Sequence, residues 1–313
     1  MADIRIFRDN GLHGRKACKI PLLLGCVMAF DSDTASRESN RNFRVKIWGA
    51  RGTLPVSGEN FRKYGGNTIC IEVRCGDHVL LFDAGSGLHP AGLALRAEGI
   101  TDVNLFFSHC HYDHIVGFPY FKPFYNSSND VAIWSGHLAG TMTTRQMLRE
   151  FMSPPWFPVP LEVCCAKMAT RDFMPGDALD VHPGLTIRTG MLNHPGNAIG
   201  YRLDWEGKSL AIITDTEHEP GNTDNNVLDL IRDVDLFLYD AMFTEEEMSL
   251  YRGYGHSSWQ EAIRLAKLAG ARNVGFIHHA PSRSDDELDD IEKQAKSQFS
   301  GAFAAMDGQI IEL

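Results

Sequence analysis

Seven consecutive residues, Ser108-His109-Cys110-His111-Tyr112-Asp113-His114, carry three imidazoles and a carboxylate directly behind the apolar run Val103-Asn104-Leu105-Phe106-Phe107. A run of that length and character reads as a buried strand, so the ligands leave its end on one loop. Neutral imidazole and carboxylate are the donors that borderline cations such as zinc prefer. A solvated polar loop with chance histidines is the ordinary alternative, but nothing structural calls for such a density of ligands.

Further donors come after other apolar runs. His194 comes after Leu185–Thr189, Asp215 after the run ending at Ile213, and His278 after Asn273–Ile277. Their shared context predicts that all sit at one edge of a sheet assembly. Further strands are expected at 43–48, 69–73, 78–82, 199–203, 209–213 and 235–239, and helices at 90–98, 141–151, 224–232, 257–268 and 284–299. Strands and helices in both halves, without sustained α-β alternation, predict an α/β (α+β) fold of two packed sheets with helices outside, a four-layer αββα sandwich.

The polar stretch 31–42 reads as a linker, which makes residues 1–42 an N-terminal extension and 43–313 the main domain. Within it, residues 118–165 hold six prolines and many aromatics and read as an irregular insertion around one helix, either a lid or substrate wall or an oligomer interface. The apolar segment 20–30 comes after Arg15, Lys16 and Lys19 and is too short to span a bilayer. It has the length of a signal-peptide core without a clean cleavage site, or it is an element packed on the domain. Seven cysteines, with no two-residue-spaced pair, fit reduced thiols in a cytoplasmic enzyme. A formal net charge of −10 opposes long nucleic acid as a partner, and no membrane partner is expected.

The order His109-x-His111-x-Asp113-His114, His194, Asp215, His278 resembles the metallo-β-lactamase superfamily over residues 43–313. The resemblance implies two Zn2+ ions, with Mn2+ or Fe2+ as substitutes. By it, His109, His111 and His194 hold one ion, Asp113, His114 and His278 the other, and Asp215 bridges them. Of the neighbours His278 and His279, the same alignment selects His278. Gly255-His256-Ser257-Ser258 is similar to the His-Ser/Thr motif of tRNA 3′-processing endonucleases (tRNase Z) and small cyclic phosphodiesterases. The loops Gly49–Gly52 and Tyr64–Cys70 are similar to those of bacterial members of that branch. The chain lacks the Gly/Pro-rich basic arm of the tRNA enzymes, which argues against a tRNA substrate.

The resemblance implies a dinuclear-metal hydrolase, a phosphodiesterase cleaving a small or cyclic phosphodiester by attack of a metal-bridged hydroxide. Asp113 and His256 are its expected catalytic residues, Asp113 orienting the hydroxide and His256 acting as general acid; alternatively His256 merely packs beside the start of a helix. A thioester or lactone hydrolase of the same superfamily, and an iron-bound redox or sensor protein, are the competing readings. Glu217 and Asp83 are expected to orient ligand histidines. His89, His137, His182 and His218 are expected at the surface or behind the site, and a homodimer is compatible with the resemblance.

Overall fold

The computed structural model describes residues 42–313, so the expected extension, with its apolar segment at 20–30, lies outside the described residues but for Asn42. The first half comprises β1 (Phe43–Gly49), β2 (Cys70–Cys75), β3 (His78–Phe82), α1 (Leu88–Glu98), β4 (Asp102–Phe107), α2 (Tyr112–Ile115), β5 (Asp130–Ser135), α3 (Thr144–Phe151) and β6 (Lys167–Asp172). The second half comprises β7 (Ala178–Leu179), β8 (Thr186–Leu192), β9 (Ala198–Trp205), β10 (Lys208–Ile213), α4 (Asn225–Ile231), β11 (Leu236–Asp240), α5 (Trp259–Ala269), β12 (Val274–Ile277), α6 (Asp285–Gln298), β13 (Ala302–Ala304) and β14 (Ile310–Glu312).

Two seven-stranded sheets form, in the orders β14-β1-β2-β3-β4-β5-β6 and β13-β12-β11-β10-β9-β8-β7. Successive side chains on a strand face opposite ways, and here both faces are apolar because both are covered. In β11, Leu236 and Leu238 join Val45, Ile71, Phe82 and Ile212 between the sheets. Phe237 and Tyr239 of the same strand pack outward with Val227, Trp259, Ile263 and Leu288 of the helices. The first sheet does likewise: Leu80 and Phe82 face inward, while Val79 and Leu81 meet Ala91, Leu95 and Phe121 outside. This is the expected four-layer αββα sandwich, held by side chains that each contribute about 1.5–3 kcal/mol on full burial.

The helices start and stop on local chemistry. Ser258 caps α5 by accepting Glu261 N–H, and Ser284 and Glu287 form a reciprocal box at the start of α6. One expectation needs correction. The stretch 118–165 is not irregular throughout, because β5 runs through it, paired in parallel with both β4 and β6. Val131, Ile133 and Ser135 are the alternate buried positions of β5, Val131 and Ile133 under the helices, a period-2 signal hidden by the prolines on either side. Among the described residues no helix is long and apolar enough to cross a membrane.

Strand direction sets the location of the site. In the first sheet β3, β4 and β5 are parallel. In the second, β10, β11 and β12 are parallel, and β8 shares their direction because β9 is antiparallel to both β8 and β10. The polar residues that come after β3, β4, β8, β10, β11 and β12 therefore lie at the carboxyl ends of their strands, where open α/β sheets bind ligands. Ile199 N–H donates to Ser108 O at 2.9 Å and Tyr201 OH to Phe107 O at 2.6 Å, tying the two sheets together beside these ends.

Candidate metal centre

All seven candidate metal ligands converge. His109, His111 and His194 form one group, and Asp113, His114, Asp215 and His278 a second, each with its donor atoms within 4.8 Å of one another. In the first, His194 Nε2 lies 3.0 Å from His111 Nδ1. In the second, His114 Nε2 lies 3.3 Å from Asp113 Oδ2 and 3.1 Å from Asp215 Oδ1, while His278 Nε2 lies 3.0 Å from Asp113 Oδ2 and 3.2 Å from Asp215 Oδ2. Asp215 Oδ2 is also 3.7 Å from His109 Nε2 and 3.9 Å from His194 Nε2, so this carboxylate stands between the groups.

The residues fit a pair of cations. Donors on a tetrahedral zinc with bonds of about 2.0–2.1 Å stand roughly 3.3 Å apart, close to the separations found. His109 Nε2 is buried with no hydrogen-bond partner, a costly arrangement for a polar atom unless a ligand takes its lone pair. Three rings are turned with Nε2 inward by bonds at the other nitrogen: His109 Nδ1–H to Ser108 Oγ at 3.0 Å, His114 Nδ1–H to Asp83 Oδ2 at 2.8 Å, and His194 Nδ1–H to Gly255 O at 2.8 Å. Metal-binding histidines are held in this way.

Charge is concentrated to the same end. Burial alone would lower His278, yet Asp215 and Asp113 outweigh it and hold its imidazole up at about 10. Burial opposes charge on Asp215 too, but His114 and His278 overcome it and keep the carboxyl well below the usual range. Burial and the neighbouring His114 push His109 well down. Carboxylates that favour protonated imidazoles are suited to a cation in place of those protons. His111 is exposed, so the cluster opens to solvent on that side.

Asp83 is fully buried after β3 and accepts Ser108 N–H at 2.6 Å, Ser108 Oγ–H at 2.7 Å and the His114 bond, so it braces both the loop and a ligand. His256 lies beside the cluster, its ring stacked on His278 at 4.7 Å, and Ser258 rather than His256 caps α5. Its Nδ1–H donates to Asp240 Oδ2 at 2.9 Å, which turns Nε2 away from the carboxylate. Asp240 is fully buried and also receives Thr216 N–H and Met242 N–H. Sequence reasoning missed it, although it ends the apolar strand β11 as the other candidates end theirs.

The remaining candidates fall as follows. His279 turns away, donating from Nε2 to Ala305 O at 2.9 Å. Glu217 touches no ligand histidine but accepts Gly253 N–H and Gly255 N–H, bracing the loop whose carbonyl orients His194. His218 bonds Ser257 Oγ, His182 stacks on His78, His89 is exposed, and His137 is buried beside Ser135. The loop 49–53 proves to be scaffold: Thr53 N–H donates to Asp113 Oδ2 at 2.7 Å, and buried Arg51 reaches Gly65 O, Ala280 O and Arg283 O. A Cβ on Gly52 would stand 2.2 Å from His278 ring atoms, so only glycine admits that approach.

Known proteins share this architecture. The chain is similar to the protein named ribonuclease Z from Methanosarcina acetivorans, at 23% identity over 86% of this chain and 98% of the relative. It is similar in structure to the metallo-beta-lactamase fold protein YhfI from Bacillus subtilis, with a TM-score of 0.66 at 22% identity over 87% of this chain and all of the other (100%). A diphosphatase from the PhnP family superposes with a TM-score of 0.63 at 17% identity, over 87% of this chain and 98% of the other. Residues 78–279 match the family described as "Beta-lactamase superfamily domain", a span that runs from β3 to the His278–His279 pair, and the chain belongs to that superfamily.

Proposed function

We propose that the protein is a dinuclear-metal phosphodiesterase acting on a small or cyclic phosphodiester. The observation that carries this reading is the His256–Asp240 pair, whose 2.9 Å bond engages Nδ1 and leaves Nε2 to act for a ring that stacks on His278. Ester oxygens expelled from phosphorus need a proton, whereas thioester cleavage expels a thiolate that does not. His109, His111 and His194 would hold one cation and Asp113, His114 and His278 the other, with Asp215 placed to serve either. Zinc suits the donor set, and Mn2+ or Fe2+ accept the same ligands. When bound, the pair supplies Lewis acidity toward the phosphoryl oxygens and an activated water.

The chain's own groups do the rest. Thr53 N–H holds Asp113 at Oδ2, which leaves Oδ1 to orient the attacking water and take its proton. As the water oxygen bonds to phosphorus and the P–O ester bond breaks, His256 Nε2–H protonates the departing oxygen. Asp240 keeps the ring in place through its bond to Nδ1. A linear diester gives an alcohol and a phosphomonoester, and a cyclic one gives a single phosphomonoester that carries the freed hydroxyl. Ribonuclease activity in the name of the Methanosarcina acetivorans relative supports phosphodiester chemistry and makes RNA the second substrate class to test. The net charge of −10 favours the small substrate.

The test is a screen of purified, metal-loaded protein against cyclic nucleotides, bis(p-nitrophenyl) phosphate, precursor tRNA, a thioester and a lactone, with metal content measured on the same sample. Two metal equivalents and turnover of the small diesters are expected, with loss of cyclic-nucleotide turnover in His256→Ala and a smaller effect on bis(p-nitrophenyl) phosphate, whose nitrophenolate leaves without a proton. Thioester or lactone turnover alone, or an unaffected His256→Ala, overturns the reading.

A further inference from the structure

Tyr254 is 64% exposed, and its backbone is anchored on both sides. The Glu217 carboxylate accepts Gly253 N–H at 2.8 Å and Gly255 N–H at 2.8 Å, while Gly255 O receives the Nδ1–H of His194. The phenol is thus displayed from a short loop pinned to the ligand cluster. Rings connect it to the centre: His256 stacks on His278 at 4.7 Å and meets the edge of Phe243 at 6.1 Å. Phe243 lies parallel to Tyr251 at 4.5 Å, and Tyr251 meets Tyr254 at 5.8 Å. The series ends in solvent, with Leu250, 75% exposed, nearby in sequence.

An exposed ring on a braced backbone loses little freedom when it meets a flat ligand, and aromatic faces accept any base. We propose that Tyr254 is a stacking platform for a nucleobase carried by the phosphodiester, making it a specificity-determining residue of this site; the proposal rests on the phosphodiesterase reading above. The shared chemistry is a phosphate group seated at the cluster and a planar aromatic group carried on the same molecule. Phe243 and Tyr251 support the platform, and Tyr254 itself contributes nothing to the core.

The test measures equilibrium binding to the metal-loaded protein by calorimetry, with adenosine 5′-monophosphate and methyl phosphate as probes, for wild type, Tyr254→Ala and Tyr254→Phe. Wild type is expected to bind the nucleotide about tenfold more tightly than methyl phosphate, within the range that ring–base stacking supplies. Tyr254→Ala loses that preference with methyl phosphate affinity unchanged within about twofold, and Tyr254→Phe keeps it. Equal affinity for the two probes in wild type, absence of binding by either, or a preference surviving in Tyr254→Ala overturns the proposal. Because binding needs no turnover, a nucleotide preference without diester cleavage refutes the phosphodiesterase reading and leaves the platform standing.

Discussion

Replacing Asp83 by Asn tests how the ligand loop is held. Asp83 is fully buried and accepts three bonds: Ser108 N–H at 2.6 Å on Oδ1, and Ser108 Oγ–H at 2.7 Å and His114 Nδ1–H at 2.8 Å on Oδ2. An amide of the same shape keeps one oxygen, which can satisfy Ser108 N–H. Its NH2 then faces two donors that have lost their acceptor. Each buried donor left unpaired costs about 1–3 kcal/mol, so folding of the metal-free protein should weaken by about 2–6 kcal/mol. His114 also loses the bond that turns its Nε2 inward, and loss of such a support lowers metal affinity by about 10–100-fold. Urea unfolding of the metal-free protein measures the first effect, and chelator competition, read separately for each metal equivalent, measures the second. The weaker affinity should belong to one equivalent, the one that His114 binds. A variant with unchanged midpoint and unchanged affinities would refute the role given to Asp83.

Gly52→Ala puts a methyl 2.2 Å from His278 Cε1 and Nδ1, and fully buried His278 has no room to withdraw, so one metal equivalent should be lost by elemental analysis. Asp240→Asn should lower kcat by about a hundredfold, within the usual contribution of general acid catalysis, with metal content unchanged; a fall in KM alone would contradict this. His137 is pushed down to about 4, by burial first and by His111 and His114 next. Its folded value is thus below its ordinary one of about 6.5, and the unfolded chain binds more protons between the two. Stability is therefore fully present above about 6.5 and falls by about 3 kcal/mol as pH drops toward 4. His137→Gln should flatten that part of the stability–pH curve, and an unchanged slope would remove His137 as its cause.

Local pattern made much of this protein readable. β10, β11 and β12 are apolar runs with a polar residue at or just after the end, and such runs mark buried strands whatever they pair with. The starts of α5 and α6 were readable for the same reason, since a cap is a contact within four residues. β5 was not, because prolines before and after it dominate the local signal while its pairing partners lie far away in sequence. Asp240 showed only that it ends a strand; its link to His256 appears when β11 and the loop before α5 meet. Glu217 reads in the sequence as a partner for a histidine but braces a loop backbone, a distinction that spacing along the chain does not contain.

By itself the sequence determined the seven convergent donors, the layered sandwich and the superfamily, because ligand identity, strand period and motif order are properties of neighbouring residues. Tertiary structure alone decided which nitrogen of each imidazole faces inward, that Glu217 braces a loop backbone and not a histidine, that Thr53 N–H holds Asp113, and that Asp240 backs His256. Those outcomes depend on hydrogen bonds between residues far apart in the chain, as between His194 and Gly255, 61 positions apart. Such bonds exist only once the parallel strands have brought their carboxyl ends to one edge.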